Sequence, residues 1–282
     1  MRKAGFLLLM ILFILSVPAA QAVAQQQEQA VQVAPDVTVA IGLKFWFNTW
    51  QSASGSYGPQ EEVNVKTYVS DPNMAFIPSI SLKYKSVFIS TSYLGAPEYK
   101  FPTFTDTIYL SPTPTTTTTY TQKHDITATR NESDTNIGWF VTRNIALTLG
   151  YKIVTQEITD KRTGTGLTPQ TIVDKPKYAG PTVGFLANVP VGERAALYGN
   201  LAFGKLDMTY QGGTNTTTYD ADYVSTEVGF GFKDRKLPLS ATVGYRFQSI
   251  EQKLPSYQIG GPGTPVSPDV TKGFIFGISL LF

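Results

Sequence analysis

The chain has 282 residues, no cysteine, and 23 basic against 21 acidic side chains, for a formal net charge of +2 at pH 7. Absence of thiols excludes disulfide staples, thiolate nucleophiles and cysteine metal sites. The near balance of charge leaves no electrostatic case for a nucleic-acid partner, and no metal or cofactor motif is recognisable.

The N-terminus reads as an export signal. Arg2 and Lys3 precede the apolar run Phe6 to Val17, then Pro18 and small residues follow. Ala20-Gln21-Ala22 and Ala22-Val23-Ala24 both satisfy an A-x-A cleavage rule. The run is too short to span about 30 Å of hydrocarbon comfortably. Residues 1–24 are therefore expected to be a cleaved signal peptide, residues 25–36 a short polar periplasmic lead-in, and residues 37–282 the folded domain.

From residue 37 onward the dominant signal is period two, the mark of half-buried strands. In 37–50, Val37, Val39, Ile41, Leu43, Phe45 and Phe47 share one face, opposite Ala40, Gly42, Lys44 and Trp46. Residues 74–84 set Met74, Phe76, Ile80, Leu82 and Tyr84 against Ser79, Ser81 and Lys83; residues 87–95 repeat the scheme more weakly. Residues 126–141 end in Ile137, Trp139 and Val141, with Arg130, Glu132, Asp134 and Asn136 on the other parity. The upper half of that strand is polar on both faces, so it is expected to project beyond a hydrocarbon layer. Residues 145–157 and 178–189 alternate in the same way, the second with Val183, Phe185, Ala187 and Val189 on one side.

In 194–210 the apolar parity switches near Gly204, from Leu197, Leu201 and Phe203 to Leu206, Met208 and Tyr210. A glycine bulge is the expected cause. Residues 222–233 and 239–250 alternate again, and 273–282 (GFIFGISLLF) closes the chain on Phe274, Phe276, Ile278, Leu280 and Phe282. The pattern predicts ten strands. Short connections fall near Lys85-Ser86, Arg143-Asn144, Val191–Glu193 and Asp234–Lys236; long ones fall at 51–72, 98–125, 160–177, 211–221 and 254–270. Short turns on one side and long loops on the other suit a membrane barrel.

Alternation alone also fits a soluble sandwich. Three features favour a barrel with its apolar face outward. Aromatics sit near strand ends on the apolar parity, as interfacial girdles do. The opposite parity is rich in glycine, including Gly42, Gly150, Gly184, Gly229 and Gly244. Glycine weakens a wet strand surface but makes room in a crowded lumen beside Trp46 and Tyr198. An open sheet ending on Phe282 would also leave an apolar edge, which closure removes.

The terminal stretch resembles the C-terminal signal of bacterial outer-membrane β-barrel proteins, an alternating aromatic and aliphatic strand ending in Phe. The matching positions are Phe274, Phe276, Ile278, Leu280 and Phe282. In that family the barrel-assembly machinery recognises the last strand, so the resemblance implies that partner, with outer-membrane lipids and lipopolysaccharide as surroundings. The implied fold is all-β: a closed antiparallel up-and-down transmembrane barrel. Its compartment would be the bacterial outer membrane.

The lumen parity carries Lys44, Arg130, Glu132, Asp134, Lys152, Glu227 and Arg246. Both signs occur, and a ten-stranded barrel has a backbone radius of about 10 Å, so paired charges are expected to plug the lumen. A selectivity filter for ions or small solutes is the alternative. An enzyme acting on lipid A or peptides is a third reading, resting on His124 beside Asp125 in the second loop. No Gly-x-Ser-x-Gly elbow supports it. The Thr-rich segment 101–125 is expected to form a hairpin turning near Ser111–Pro114, for surface contact. The expected protein is thus non-enzymatic, with a structural or surface-contact role.

Overall fold

A computed structural model describes residues 37–57, 63–113, 116–212, 215–234, 237–252 and 269–282. The expected signal peptide and lead-in, and most of the last long loop, lie outside the described residues. The strands are β1 (Val37–Tyr57), β2 (Val63–Val69), β3 (Asn73–Tyr84), β4 (Val87–Leu94), β5 (Glu98–Lys100), β6 (Phe104–Thr113), β7 (Thr116–Phe140) and β8 (Ile145–Gly164). They continue with β9 (Gln170–Asp174), β10 (Lys177–Val191), β11 (Ala195–Gly212), β12 (Asn215–Lys233), β13 (Leu239–Gln252) and β14 (Asp269–Leu281).

All fourteen segments belong to one sheet. Three staves are interrupted: β2 continues into β3, β4 into β5 and β6, and β9 into β10. Ten staves result, each antiparallel to its neighbours, and β1 closes the ring on β14. Closure places Leu43 opposite Ile278 and Phe45 opposite Phe276. The C-terminal stripe is therefore one wall of a seam, and no terminal edge is left to pair with another chain.

The short turns lie at one end. Lys85 carries a positive φ of 53° in one of them, and Gly192 a φ of 78° in another, the left-handed geometry that tight hairpins require. At the other end the strands run on far past the expected loop boundaries. β7 has 25 residues and β8 has 20. Segments expected as loops at 51–72, 98–125, 160–177 and 211–221 are largely strand. Thr-rich and β-branched stretches continue a ladder readily once a neighbour supplies hydrogen bonds. The hairpin near Ser111–Pro114 does form, with Thr113 paired to Thr116.

The apolar parity faces out. Ile41, Phe47, Phe76, Leu149, Val183, Phe230 and Ile278 are all exposed, and Tyr84, Tyr93, Trp139, Tyr245 and Phe282 lie exposed near the strand ends. On β1 the outward apolar run covers Val37 to Phe47; ten steps of about 3.4 Å at a tilt near 40° give a belt about 26 Å tall. That matches the hydrocarbon that an outer-membrane barrel must cover. Among the described residues no helix is long and apolar enough to cross a membrane.

Gly204 corrects one expectation. The ladders of β11 with β10 and with β12 run in one register through it, without a bulge. What changes at Gly204 is the solvent. Below it Phe203 faces lipid; above it Lys205 and Asp207 face out, while Leu206 and Met208 turn in and are buried. The same barrel is apolar outside within the belt and apolar inside above it. Val154, Tyr178, Leu206, Met208, Ala221, Tyr223 and Ile250 form that upper core.

Candidate functional site

The lumen residues come from alternate positions of seven long strands, so the side chains converge because the barrel is narrow. Trp46 and Trp50 project inward from β1 and are fully buried. Room for large side chains is made by glycines on facing rungs. Tyr198, Gly229 and Gly244 are rung partners across β11, β12 and β13. A Cβ on Gly244 would lie 2.6 Å from the Tyr198 hydroxyl, so the ring lies over two bare backbones.

The structure brings together all seven charged residues that the sequence places in the lumen, and adds Asp269. Arg130 Nε donates to Glu132 Oε1 at 2.7 Å, and its Nη1 donates to Asp269 Oδ1 at 2.8 Å. Lys152 Nζ donates to Glu132 Oε2 at 2.6 Å and to Asp134 Oδ2 at 3.0 Å. Lys44 Nζ donates to Glu227 Oε1 at 2.7 Å, and Arg246 Nη1 stands 4.0 Å from Glu227 Oε2. Neutral amides complete the set: Gln248 Nε2 donates to Glu132 at 3.1 Å, and Gln156 Nε2 to Asp269 at 2.7 Å. The cations also lie over rings, Arg130 over Trp50, Arg246 over Trp46 and Lys152 over Tyr223.

Burial separates this cluster from a wet filter. The Arg130 and Lys152 side chains are each 1% exposed and Glu132 is 3% exposed. Charges so far from water persist only when mutually paired and hydrogen-bonded. Directly around them lie the upper core and a second apolar cluster of Trp50, Tyr99, Phe101 and Ala128. Tyr99 donates its hydroxyl to Asn48 Oδ1 at 2.8 Å, and burial pushes its phenol above the usual tyrosine range.

Asp269 was missed because 254–270 reads as a loop. Its parity with Ile275 and Gly277, both inward, is the signal that could have found it. Gln156 and Gln248 stand on the polar parity but carry no charge to draw attention.

His124 is placed differently from expectation. It lies within β7, paired with Phe104 of β6 and Arg162 of β8, and is buried. Asp125 points the other way and is exposed, so the residue that meets the ring is Asp160, whose Oδ2 is 3.0 Å from His124 Nδ1. Arg162 Nε donates to the same Asp160 oxygen at 2.6 Å. The imidazole stacks on Phe104 with centroids 4.7 Å apart, and Phe104 stacks on Tyr68 at 4.0 Å. Burial and the Asp106 charge push the Tyr68 phenol up to about 12. Among the described residues no group of His, Asp or Glu is arranged to hold a metal ion.

Below the charge cluster, toward the short turns, the lumen holds a cavity of about 260 Å³ lined by serines, threonines and asparagines together with Ile77, Phe88, Leu186 and Tyr223. Its upper wall carries Lys44, Asp134, Glu227 and Arg246.

No family model matches this chain, and no curated protein matches it. Among solved structures, the outer membrane protease OmpT of Escherichia coli is similar with a TM-score of 0.54 at 15% identity, covering 90% of this chain and 99% of that one. A Pseudomonas aeruginosa FadL homologue aligns with a TM-score of 0.34 at 10% identity, covering 88% of this chain and 90% of that one. The toluene transporter TodX of P. putida aligns with a TM-score of 0.31 at 8% identity, over 88% of this chain and 91% of that one. At such identities the likeness to OmpT speaks to fold alone. The chain has the closed ten-stranded fold of outer-membrane β-barrels, and its exposed apolar belt makes it a transmembrane one.

Proposed function

We propose that this protein is a non-enzymatic barrel of the bacterial outer membrane whose lumen is closed at mid-height, and that its role is envelope structure or surface contact. One observation supports the closed lumen above the rest. The Arg130–Glu132–Lys152 cluster crosses the bore with its side chains almost wholly removed from water, packed against apolar clusters. A conducting filter needs charges in contact with a water column. The surface role draws on the tall upper part, where β6, β7 and β8 carry threonine-rich strands beyond the apolar belt. Export through residues 1–24, insertion by the barrel-assembly machinery through the stripe ending in Phe282, and contact with lipid and lipopolysaccharide belong to the same reading.

Planar-bilayer recording on the purified barrel tests it. The expected record is free of steady unitary steps; a reproducible open level would overturn the closed lumen in favour of a small channel.

A second reading, a hydrolase of the outer face, has one specific observation behind it: the buried His124–Asp160 pair, an arrangement that orients an imidazole as a base. The likeness in fold to a protease adds little, since one fold serves many functions. Loss of peptide cleavage or of lipid A modification in His124→Ala, from a wild type that shows either, would establish it.

A further inference from the structure

We propose that the lower lumen is a binding pocket, on the short-turn side of the charge cluster, for a small zwitterion of the α-amino-acid class. The cavity of about 260 Å³ lies just under the usual range for small-ligand pockets, which suits a ligand of a few heavy atoms. Its wall is built from Ser79, Ser81, Ser90, Ser92, Ser225 and Ser279. Six hydroxyls from four strands, β3, β4, β12 and β14, are donors and acceptors without net charge.

The roof supplies two poles. Of the four cations in the charge cluster, Lys44, Arg130 and Lys152 each hold a carboxylate at 2.6 to 2.7 Å. Arg246 does not: its nearest carboxylate oxygen among the described residues stands 4.0 Å away, and its Nε is buried without a hydrogen-bond partner. A guanidinium offers five donors in a planar fork, and buried donors left unmatched are costly. Beside it, Lys44 is 34% exposed at its side chain, so solvent reaches this end of the cluster.

The negative pole is Asp134. It is held by Lys152 at 3.0 Å and by Asn136 at 3.3 Å, but 22% of its side chain remains exposed at the cavity. The surrounding charges, Lys44, Arg246, Asp134 and Glu227, already sum to zero. An anion alone would unbalance them and a cation alone would do the same. A molecule carrying a carboxylate for the Arg246 guanidinium and an ammonium for Asp134 would keep the balance.

This inference rests on the closed-lumen reading only in making the pocket blind. The experiment titrates L-serine into the folded barrel in detergent and follows heat by calorimetry. The expected result is saturable binding with a Kd on the order of 1 mM, with L-lactate, which lacks the ammonium, and ethanolamine, which lacks the carboxylate, at least tenfold weaker. Arg246→Gln and Asp134→Asn are each expected to weaken serine by tenfold or more, with Arg246→Lys recovering part of the loss. A heat-modifiability gel reports folding of each variant. If Arg246→Gln does not fold, Ser90→Phe, which fills the cavity from β4, must abolish serine binding.

Absence of serine binding overturns the proposal, as does binding unaltered in a folded Arg246→Gln or Ser90→Phe barrel. Equal binding of lactate overturns the zwitterion assignment. Conductance in a bilayer bears on the closed lumen alone, so the two failures are distinguishable.

Discussion

Lys152 stands directly opposite Asp134 in the β7–β8 ladder, yet its ammonium lies closer to Glu132, one inward position further up the strand, at 2.6 Å against 3.0 Å. Glu132 is shared in turn with Arg130 and Gln248. The bore is therefore crossed by a single connected cluster in which each carboxylate serves more than one donor.

Glu132→Gln should cost up to about 3 kcal/mol, because it leaves buried Arg130 with Asp269 alone and buried Lys152 with Asp134 alone. Urea unfolding followed by the heat-modifiable band measures this. The double variant Glu132→Gln with Lys152→Met should cost less than the sum of the single changes, since each removes the group the other leaves unpaired.

If the lumen is closed as proposed, removing both Arg130 and the Trp50 ring it lies over, as a double alanine variant, should open a conducting path. Unitary steps in a planar bilayer that exceed the wild-type record are the expected sign. A silent folded double variant would place the block elsewhere.

Gly273→Ala should impair closure of the barrel. An added Cβ there would meet the Phe47 carbonyl oxygen and lie 2.6 Å from Asn48 Cα, backbone atoms of β1 that cannot swing away. Gly199→Ala meets nothing within 4 Å and should fold as the wild type does. Folded yield on a heat-modifiability gel separates them.

The change of solvent near Gly204 predicts opposite tolerances on neighbouring strands. Phe230→Arg, on the belt, should cost about 2–4 kcal/mol near the bilayer midplane. Lys205→Gln, outward but above the belt and paired with Asp222, should cost at most about 1 kcal/mol. Leu206→Asp, next to it but inward, places a charge in the upper core and should unfold that region first, seen as accelerated amide exchange.

Tyr68 gives a pH signature above the membrane. Its folded pKa is raised to about 12 from an ordinary 10.0. Between those values the unfolded chain has lost the proton that the folded chain keeps, so stability falls as pH rises through that window. Tyr68→Phe should flatten the fall between pH 10 and 12 relative to wild type, as read from urea midpoints.

Much of this arrangement was legible in the sequence. The parity of Val37 to Phe47 and of Phe274 to Phe282 gave the outward stripe on both walls of the closing seam, and the polar parity gave seven of the charges found in the bore, though not Asp269. Two readings fail where the strands leave the belt. His124 reads as a loop residue because polar, threonine-rich sequence suggests the end of a strand, and Gly204 reads as a bulge because the apolar parity switches there, although the register does not. The strands continue into water, where their inside and outside exchange preferences.

Sequence by itself determined the period, the turn ends and the chemical nature of each face, because side chains in a strand alternate at fixed spacing whatever the strand packs against. It could not say which charge would meet which. Those partners lie on strands up to 183 residues apart, as Lys44 and Glu227 do, and only ring closure sets their distance. The longer 4.0 Å reach of Arg246 to Glu227, the union of His124 with Asp160, and the space below the cluster were all decided there. Each is a matter of a few ångströms across a bore that no local pattern records.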